Sequence, residues 1–478
     1  MFSSKKTPSI FCDVSTETLT NAQKKAIRKA YVKGNMGQIF PASSGVVPPL
    51  FVGRESQMGK VDRLVQGITD KSAPEGIHGV VLHGPRGTGK TAMIDAIETG
   101  ALKNETLHII RTNGNTALTS VDMFLARIAE QMSPLEEKTT STKTHKSVKG
   151  KGIVAEGEIG RESQTSSTQK PHQTGMSIES GFESVLLHNQ NKPLLLLIDE
   201  AHGADPSVLG MMMNSVQSLA GQYPIGFVLA GTPDTLDVLR DPACKATWFR
   251  DRAQEKRFAP LPNDLSVDVC RNAIVETLDA AGVRIQDNTD LEAMLARCKG
   301  SPYFLQVLGE AALHAASQCD DIADFSVGGE IDHHFEMRVQ ERYQTTWADL
   351  EGRNLSGCAR QLGRLWHRQA QVDEEIDFML VEQAIRSGIR NAPYSERQQL
   401  SFEEAQTHFK HLGLLWSMTG YDEGPWSLGL PSFFDYVESK FHEPRKVAHQ
   451  DVLAKLEADM DALFQRIGWG APPQTNDF

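Results

Sequence analysis

The sequence predicts an α/β chain: a parallel αβα core, then a helical lid, then a C-terminal helical region ending in a winged helix. Three observations predict it. Short apolar runs alternate with helical periods between residues 46 and 262, a glycine-rich loop joins the first such run to a helix, and the spacing beyond Pro262 is helical until two short runs near the end.

The runs predict strands over His78–Gly84, Thr106–Thr112, Pro193–Glu200, Ile225–Gly231 and Glu255–Leu261. The third, PLLLLIDE, is apolar without alternation, as expected of a strand covered on both faces. Helices are expected from Lys90 to about Thr99, after an N-cap at Ser120, and through Met211 to Leu219. The rhythm breaks over 133–177, which is rich in Ser, Thr, Lys and Gln and reads as a flexible insertion with a hairpin at Ile153–Ile159.

Beyond the core, helices are expected over Ser266–Ala281, Asp290–Cys298 and Pro302–Ala316, and again from Glu330 to Ser387. The segment LSFEEAQTHFKHLGLLW, a glycine turn, and WSLGLPSFFDYVESKF then give a helix, two short strands and a final helix, the profile of a winged helix. The expected division is 1–45 as a basic helical segment, 46–262 as the core, 263–320 as the lid and 321–478 as the helical and winged-helix domain. Lys24, Lys25, Arg28 and Lys29 gather in the first part, either as a solvated helix face or as a surface for phosphates.

Length and charge narrow the function classes. A chain of 478 residues suggests two or three domains. Its 49 Lys+Arg against 61 Asp+Glu give a net charge of −12, which argues against a nucleic-acid coat over the whole surface. The 6 cysteines are scattered with no C-x-x-C pair, which argues against a disulfide scaffold and a zinc site. The N-terminus has no apolar leader, and the longest strongly apolar run is Leu194–Ile198; a soluble, cytoplasmic protein is expected, with no membrane partner.

Gly84-Pro85-Arg86-Gly87-Thr88-Gly89-Lys90-Thr91 fits G-x-x-x-x-G-K-[ST] between a strand and a helix, the context this phosphate-binding loop requires. It makes the core that of a P-loop NTPase. The glycines let successive backbone N–H groups face a β-phosphate, Lys90 brings a charge to the β- and γ-phosphates, and the Thr91 hydroxyl is the candidate Mg²⁺ ligand. ATP with Mg²⁺ is the expected cofactor pair. At the end of the third strand, Asp199 is placed to hold the metal through water and Glu200 to orient and deprotonate an attacking water.

Asp199-Glu200-Ala201-His202 also spells the DEAH signature of a helicase group, but that group's Ser-Ala-Thr strand end and Q-x-x-G-R motif are missing. After the fourth strand, Thr232 is a candidate contact to the γ-phosphate or lytic water; a plain strand-ending turn is the other reading. Arg250 and Arg252, with Arg257, precede the fifth strand. They are candidate fingers toward a neighbouring subunit's nucleotide, or a surface ion-pair cluster.

Four segments together resemble the AAA+ ATPases of the initiator (origin-recognition) type and the related STAND signalling ATPases, in particular bacterial members of that group: PPLFVGRESQM, the P-loop, LLLLIDEAH and KGSPYFLQVLGEAA. The resemblance implies that Val52, Gly53 and Arg54 lie near adenine, and that Pro302, in a Gly-x-Pro lid motif, lies near the base and ribose. Many lids of this class carry an arginine that touches the γ-phosphate. Gly300-Ser301-Pro302-Tyr303 has none, which suits a slow switch better than a processive motor.

Two function readings stay open. In one, an ATPase switch, assembling as a homo-oligomer, acts on DNA through the winged helix. In the other, the switch senses a protein or other signal and the winged helix is a docking module. The helix SFEEAQTHFKHLG is only weakly basic, with Lys410, His408 and His411 against Glu403 and Glu404. Arg386, Arg390, Arg397, Arg445 and Lys446 nearby tilt the balance slightly toward nucleic acid.

Overall fold

A computed structural model describes residues 18–42, 47–70, 78–104, 107–132, 176–251, 258–261, 264–286, 288–369, 378–392, 400–417 and 426–442. At its centre lies a five-stranded parallel sheet: β1 (Gly79–His83), β2 (His108–Asn113), β3 (Leu194–Asp199), β4 (Ile225–Gly231) and β5 (Phe258–Pro260), in the order β2-β3-β4-β1-β5. Each expected strand is present, within one or two residues at most ends.

All residues of β1, β3 and β4 are buried, and alternation sorts them onto two faces. Val81, Leu196 and Phe227 join one apolar cluster, Val80, Leu195 and Val228 the other. Helices cover both faces, among them Glu55–Thr69, Lys90–Asn104, Val121–Met132 and Pro206–Leu219. Register sets where each strand hands the chain to its loop. His83 pairs with Gly231 and Asn113 with Asp199, so the P-loop, Glu200 and Thr232 all leave the sheet at its C-terminal edge.

The helix Ile178–His188 was not expected. Its Ser177 forms a capping box with Ser180, but both adjoin the polar stretch and read there as more of the same. Of the expected insertion, 133–175 with its hairpin lies outside the described residues.

The helices Val267–Ala281, Asn288–Arg297 and Pro302–Gln318 follow the core, then Glu330–Gly352, Ser356–Gln369 and Phe378–Asn391. One departure is small: the strands β6 (Arg284–Ile285) and β7 (Ile322–Ala323) pair in parallel between these helices, with too few residues for periodicity to reveal.

The basic helix of the N-terminal segment, Asn21–Val32, opens on a capping box at Thr20 and buries Ile27 and Tyr31. Its charges are partly structural. Lys24 pairs with Glu276 at 3.3 Å, and Arg28 donates to the Ala281 carbonyl at the C-terminus of the helix Val267–Ala281. Lys25 and Lys29 stay exposed, so only part of the expected cationic face is solvated.

At the C-terminal end, the helix Phe402–His411, the antiparallel strands β8 (Leu415–Ser417) and β9 (Trp426–Leu428) and the helix Pro431–His442 follow in the expected order. This unit packs on the core beside the P-loop. Trp416 meets the ring of His83 edge-on at 5.8 Å, and a Cβ on Gly429 would come within 2.8 Å of Pro85 Cγ. The weakly basic helix Phe402–His411 has its histidines and lysine engaged inside the chain. His408 lies 2.5 Å from Asp349, His411 lies 3.2 Å from Asp234, and Lys410 sits 4.9 Å above the Trp426 ring. Among the described residues, no helix is long and apolar enough to cross a membrane.

Candidate nucleotide site

A cavity of about 460 Å³ lies at the C-terminal edge of the sheet. The loop residues Arg86, Gly87, Thr88, Gly89, Lys90 and Thr91 form one wall. Gly87 and Gly89 hold φ of +88° and +90°, a region closed to most side chains, which is how the chain turns tightly enough to aim its N–H groups inward. Gly84 stands behind the wall, where a Cβ would meet the Leu261 carbonyl oxygen at 2.3 Å.

Lys90 Nζ folds back onto the loop, donating to the carbonyls of Gly84 at 2.9 Å and Pro85 at 2.6 Å. Burial lowers its pKa from 10.5 to about 8, against the pull of Glu200 and Asp199. An incoming phosphate would further favour the charged form and compete for the same ammonium.

Glu200 and Thr232 line the same cavity. Asp199 ends β3 one residue behind, 9% exposed, and its Oδ1 accepts the Glu200 N–H at 2.9 Å. Glu200 leaves the strand in the left-handed region, φ +51° and ψ +40°, a strained geometry for this residue type. Thr232 is 3% exposed, and its Oγ1 has no hydrogen-bond partner among the described residues. Such a buried, unpaired hydroxyl suits a site completed by a bound polar group. The oxygen donors Thr91 and Asp199 suit a hard cation such as Mg²⁺ shared with phosphates.

Of the expected base-side residues, Val52, Arg54 and Pro302 line the cavity, together with the apolar Leu50 and Leu305. Gly53 is a turn residue at φ +69° beside it. The Arg54 guanidinium is buried and braces the loop: it donates to the carbonyls of Gly53 at 3.2 Å and Thr88 at 3.3 Å and lies 3.6 Å from Asp264. Of the candidate fingers, Arg250 lies on the short helix Thr247–Asp251, and Arg252 and Arg257 lie outside the described residues.

Sequence reasoning missed two side chains. His202 Nε2 lies 3.2 Å from Glu200 Oε2, while its Nδ1 accepts the Thr232 N–H at 3.4 Å. Burial lowers its pKa, which favours the neutral ring, and a ring accepting at Nδ1 carries its proton on Nε2, toward Glu200. Arg342, from the helix Glu330–Gly352, also lines the cavity. The Gly-x-Pro helix carries no arginine there, yet a guanidinium enters from the next long helix.

Residues 50–228 match the family described as the AAA ATPase domain. No curated protein matches the chain. Similar solved structures include Cdc6p from Pyrobaculum aerophilum, 14% identical with a TM-score of 0.42 over 84% of this chain and 97% of that one. The Aeropyrum pernix ORC2 protein is 15% identical, with a TM-score of 0.40 over 85% and 98%. The RuvB Holliday junction branch migration motor of Thermotoga maritima is 12% identical, with a TM-score of 0.35 over 88% and 96%. At these identities and TM-scores the likeness carries no function across.

Proposed function

With an AAA ATPase domain over residues 50–228, we propose that this chain binds ATP with Mg²⁺ in the cavity around Lys90, hydrolyses it slowly, and uses the bound nucleotide as a switch on its own C-terminal region. The observation that carries the reading is convergence: the P-loop, Glu200 and Thr232 come from three separate strand ends to one cavity.

In this reading the N–H groups of Gly87 to Lys90 cradle the phosphates, and Lys90 exchanges its two carbonyl partners for β- and γ-oxygens. Thr91 and Asp199 hold the magnesium, which supplies charge neutralisation across the phosphates. Glu200 orients and deprotonates the attacking water, and Thr232 Oγ1 gains its missing partner in that water or the γ-phosphate. Val52, Leu50 and Pro302 offer the apolar surface a base requires.

The docking reading of the C-terminal unit draws support from Trp416 against His83 and from the 3.2 Å contact between His411 and Asp234, two residues beyond Thr232. The DNA reading is weakened because His408, His411 and Lys410 already have intramolecular partners. The test is Glu200→Gln in a single-turnover assay. ATP affinity should stay within about threefold of wild type while phosphate release slows about a hundredfold; a variant as active as wild type removes Glu200 as the base.

A further inference from the structure

We propose that Arg342 is the cation that grips the terminal phosphate of the nucleotide from outside both the P-loop and the Gly-x-Pro helix, and that it ties nucleotide occupancy to the helix Pro431–His442. The proposal rests on the reading of the cavity as an ATP site.

Arg342 reaches the cavity from the helix Glu330–Gly352. Its guanidinium carbon lies 4.9 Å from the centroid of the Tyr303 ring, the second residue of the helix Pro302–Gln318. Both side chains stand over Gly87. A Cβ built on that glycine would come 3.2 Å from Tyr303 Cβ and 3.9 Å from Arg342 Nη2. A guanidinium stacked on an aromatic face keeps its N–H edge free to meet two oxygens of a phosphate, and the ring limits its rotation.

Its neighbours differ. On the same helix Arg338 lies 3.8 Å from Glu310 and 3.4 Å from Glu341, whereas no carboxylate among the described residues pairs with Arg342. A half-buried cation in a cavity, without an anion of its own among the described residues, stacked beside a loop built for phosphates, fits a polyphosphate. The loop's N–H groups serve the α- and β-phosphates, so a cation approaching across Gly87 joins Lys90 at the terminal one.

The next residue faces elsewhere. Adjacent helical residues point about 100° apart, and Tyr343 is buried toward the helix Pro431–His442. Its hydroxyl lies 2.7 Å from Ser432 Oγ, and its ring lies 5.2 Å from Phe433 and 5.8 Å from Tyr436. One turn of one helix therefore holds the group over the P-loop and the anchor of the helix Pro431–His442. A pull on Arg342 by phosphate moves a packed unit.

The experiment is calorimetric titration of the full chain and its Arg342→Ala and Arg342→Lys variants with Mg²⁺ and either a non-hydrolysable ATP analogue or ADP. Thermal midpoints verify that the variants fold, and backbone hydrogen exchange over 431–442 is measured with and without the analogue. Arg342→Ala should weaken the analogue about tenfold or more and ADP less than about threefold, with Arg342→Lys between. The analogue should raise protection of 431–442 in wild type and not in Arg342→Ala. Wild-type-like affinity of Arg342→Ala for the analogue, or an equal loss for ADP, overturns the phosphate contact. Protection of 431–442 that ignores the analogue in wild type, or that rises equally in Arg342→Ala, overturns the coupling. Failure of the underlying site is distinct: wild type itself would then bind neither nucleotide.

Discussion

His202 Nε2 stands 3.2 Å from Glu200 Oε2 and, through Nδ1, holds the Thr232 N–H at the end of the neighbouring strand. A neutral imidazole thus joins the proposed base to the proposed γ-phosphate contact and fixes the direction in which the carboxylate presents itself. We predict that His202→Phe, which keeps an aromatic ring but removes the hydrogen bond from Thr232 and the polar contact with Glu200, lowers the hydrolysis rate about tenfold with little change in KM. Steady-state kinetics test it, and equal rates would leave His202 with packing alone.

Glu200 sits at φ +51°. Replacement by Gly relieves a left-handed residue, and the gain of roughly 0.5–1 kcal/mol survives the added flexibility of the unfolded chain. Glu200→Gly is expected to be slightly more stable in urea and inactive. A clear loss of stability would mean that the Glu200–His202 pair outweighs the strain.

His83 is buried beneath the loop, and burial together with the Lys90 charge pushes its pKa from 6.5 down to about 3. The native state therefore refuses a proton that the unfolded chain accepts, so its contribution is full above about 6.5 and is lost as pH falls toward about 3, at up to about 1.4 kcal/mol per unit. Denaturation midpoints at pH 8 and pH 5.5 measure the slope. His83→Phe should flatten it; a slope unchanged by the substitution would show that other groups cause it.

Trp416 carries the C-terminal strand pair onto His83 and is 1% exposed. Trp416→Ala should cost about 3–5 kcal/mol through the cavity it leaves, with Trp416→Phe costing less. Thermal unfolding reads both, and a loss below about 1 kcal/mol would mean that the strand pair is not held by this contact.

Much of this was legible in the chain because local patterns carry it. The five strands are apolar runs, and the glycines at 87 and 89 mark a backbone turn that few other residues allow. The AAA character read from the first three segments agrees with the family match over residues 50–228, while the fourth, Lys299–Ala312, lies beyond the matched residues. The features that stayed hidden depend on distance along the sequence. His202 looked like part of a helicase signature until β4 brought Thr232 to its other nitrogen. Arg342 lies among charges on all sides of EIDHHFEMRVQERYQTTWADLEG, where no periodicity tells which arginine faces a loop far earlier in the chain. The basic residues of Phe402–His411 read as a surface, whereas His408 and His411 take tertiary partners at Asp349 and Asp234.

Calorimetric titration of Mg-ATP into wild type and Lys90→Ala tests most directly whether the cavity around Lys90 is an ATP site. Saturable binding by wild type, weakened about a hundredfold or more in a folded Lys90→Ala, is the predicted result. Equal affinity in the two proteins would contradict it.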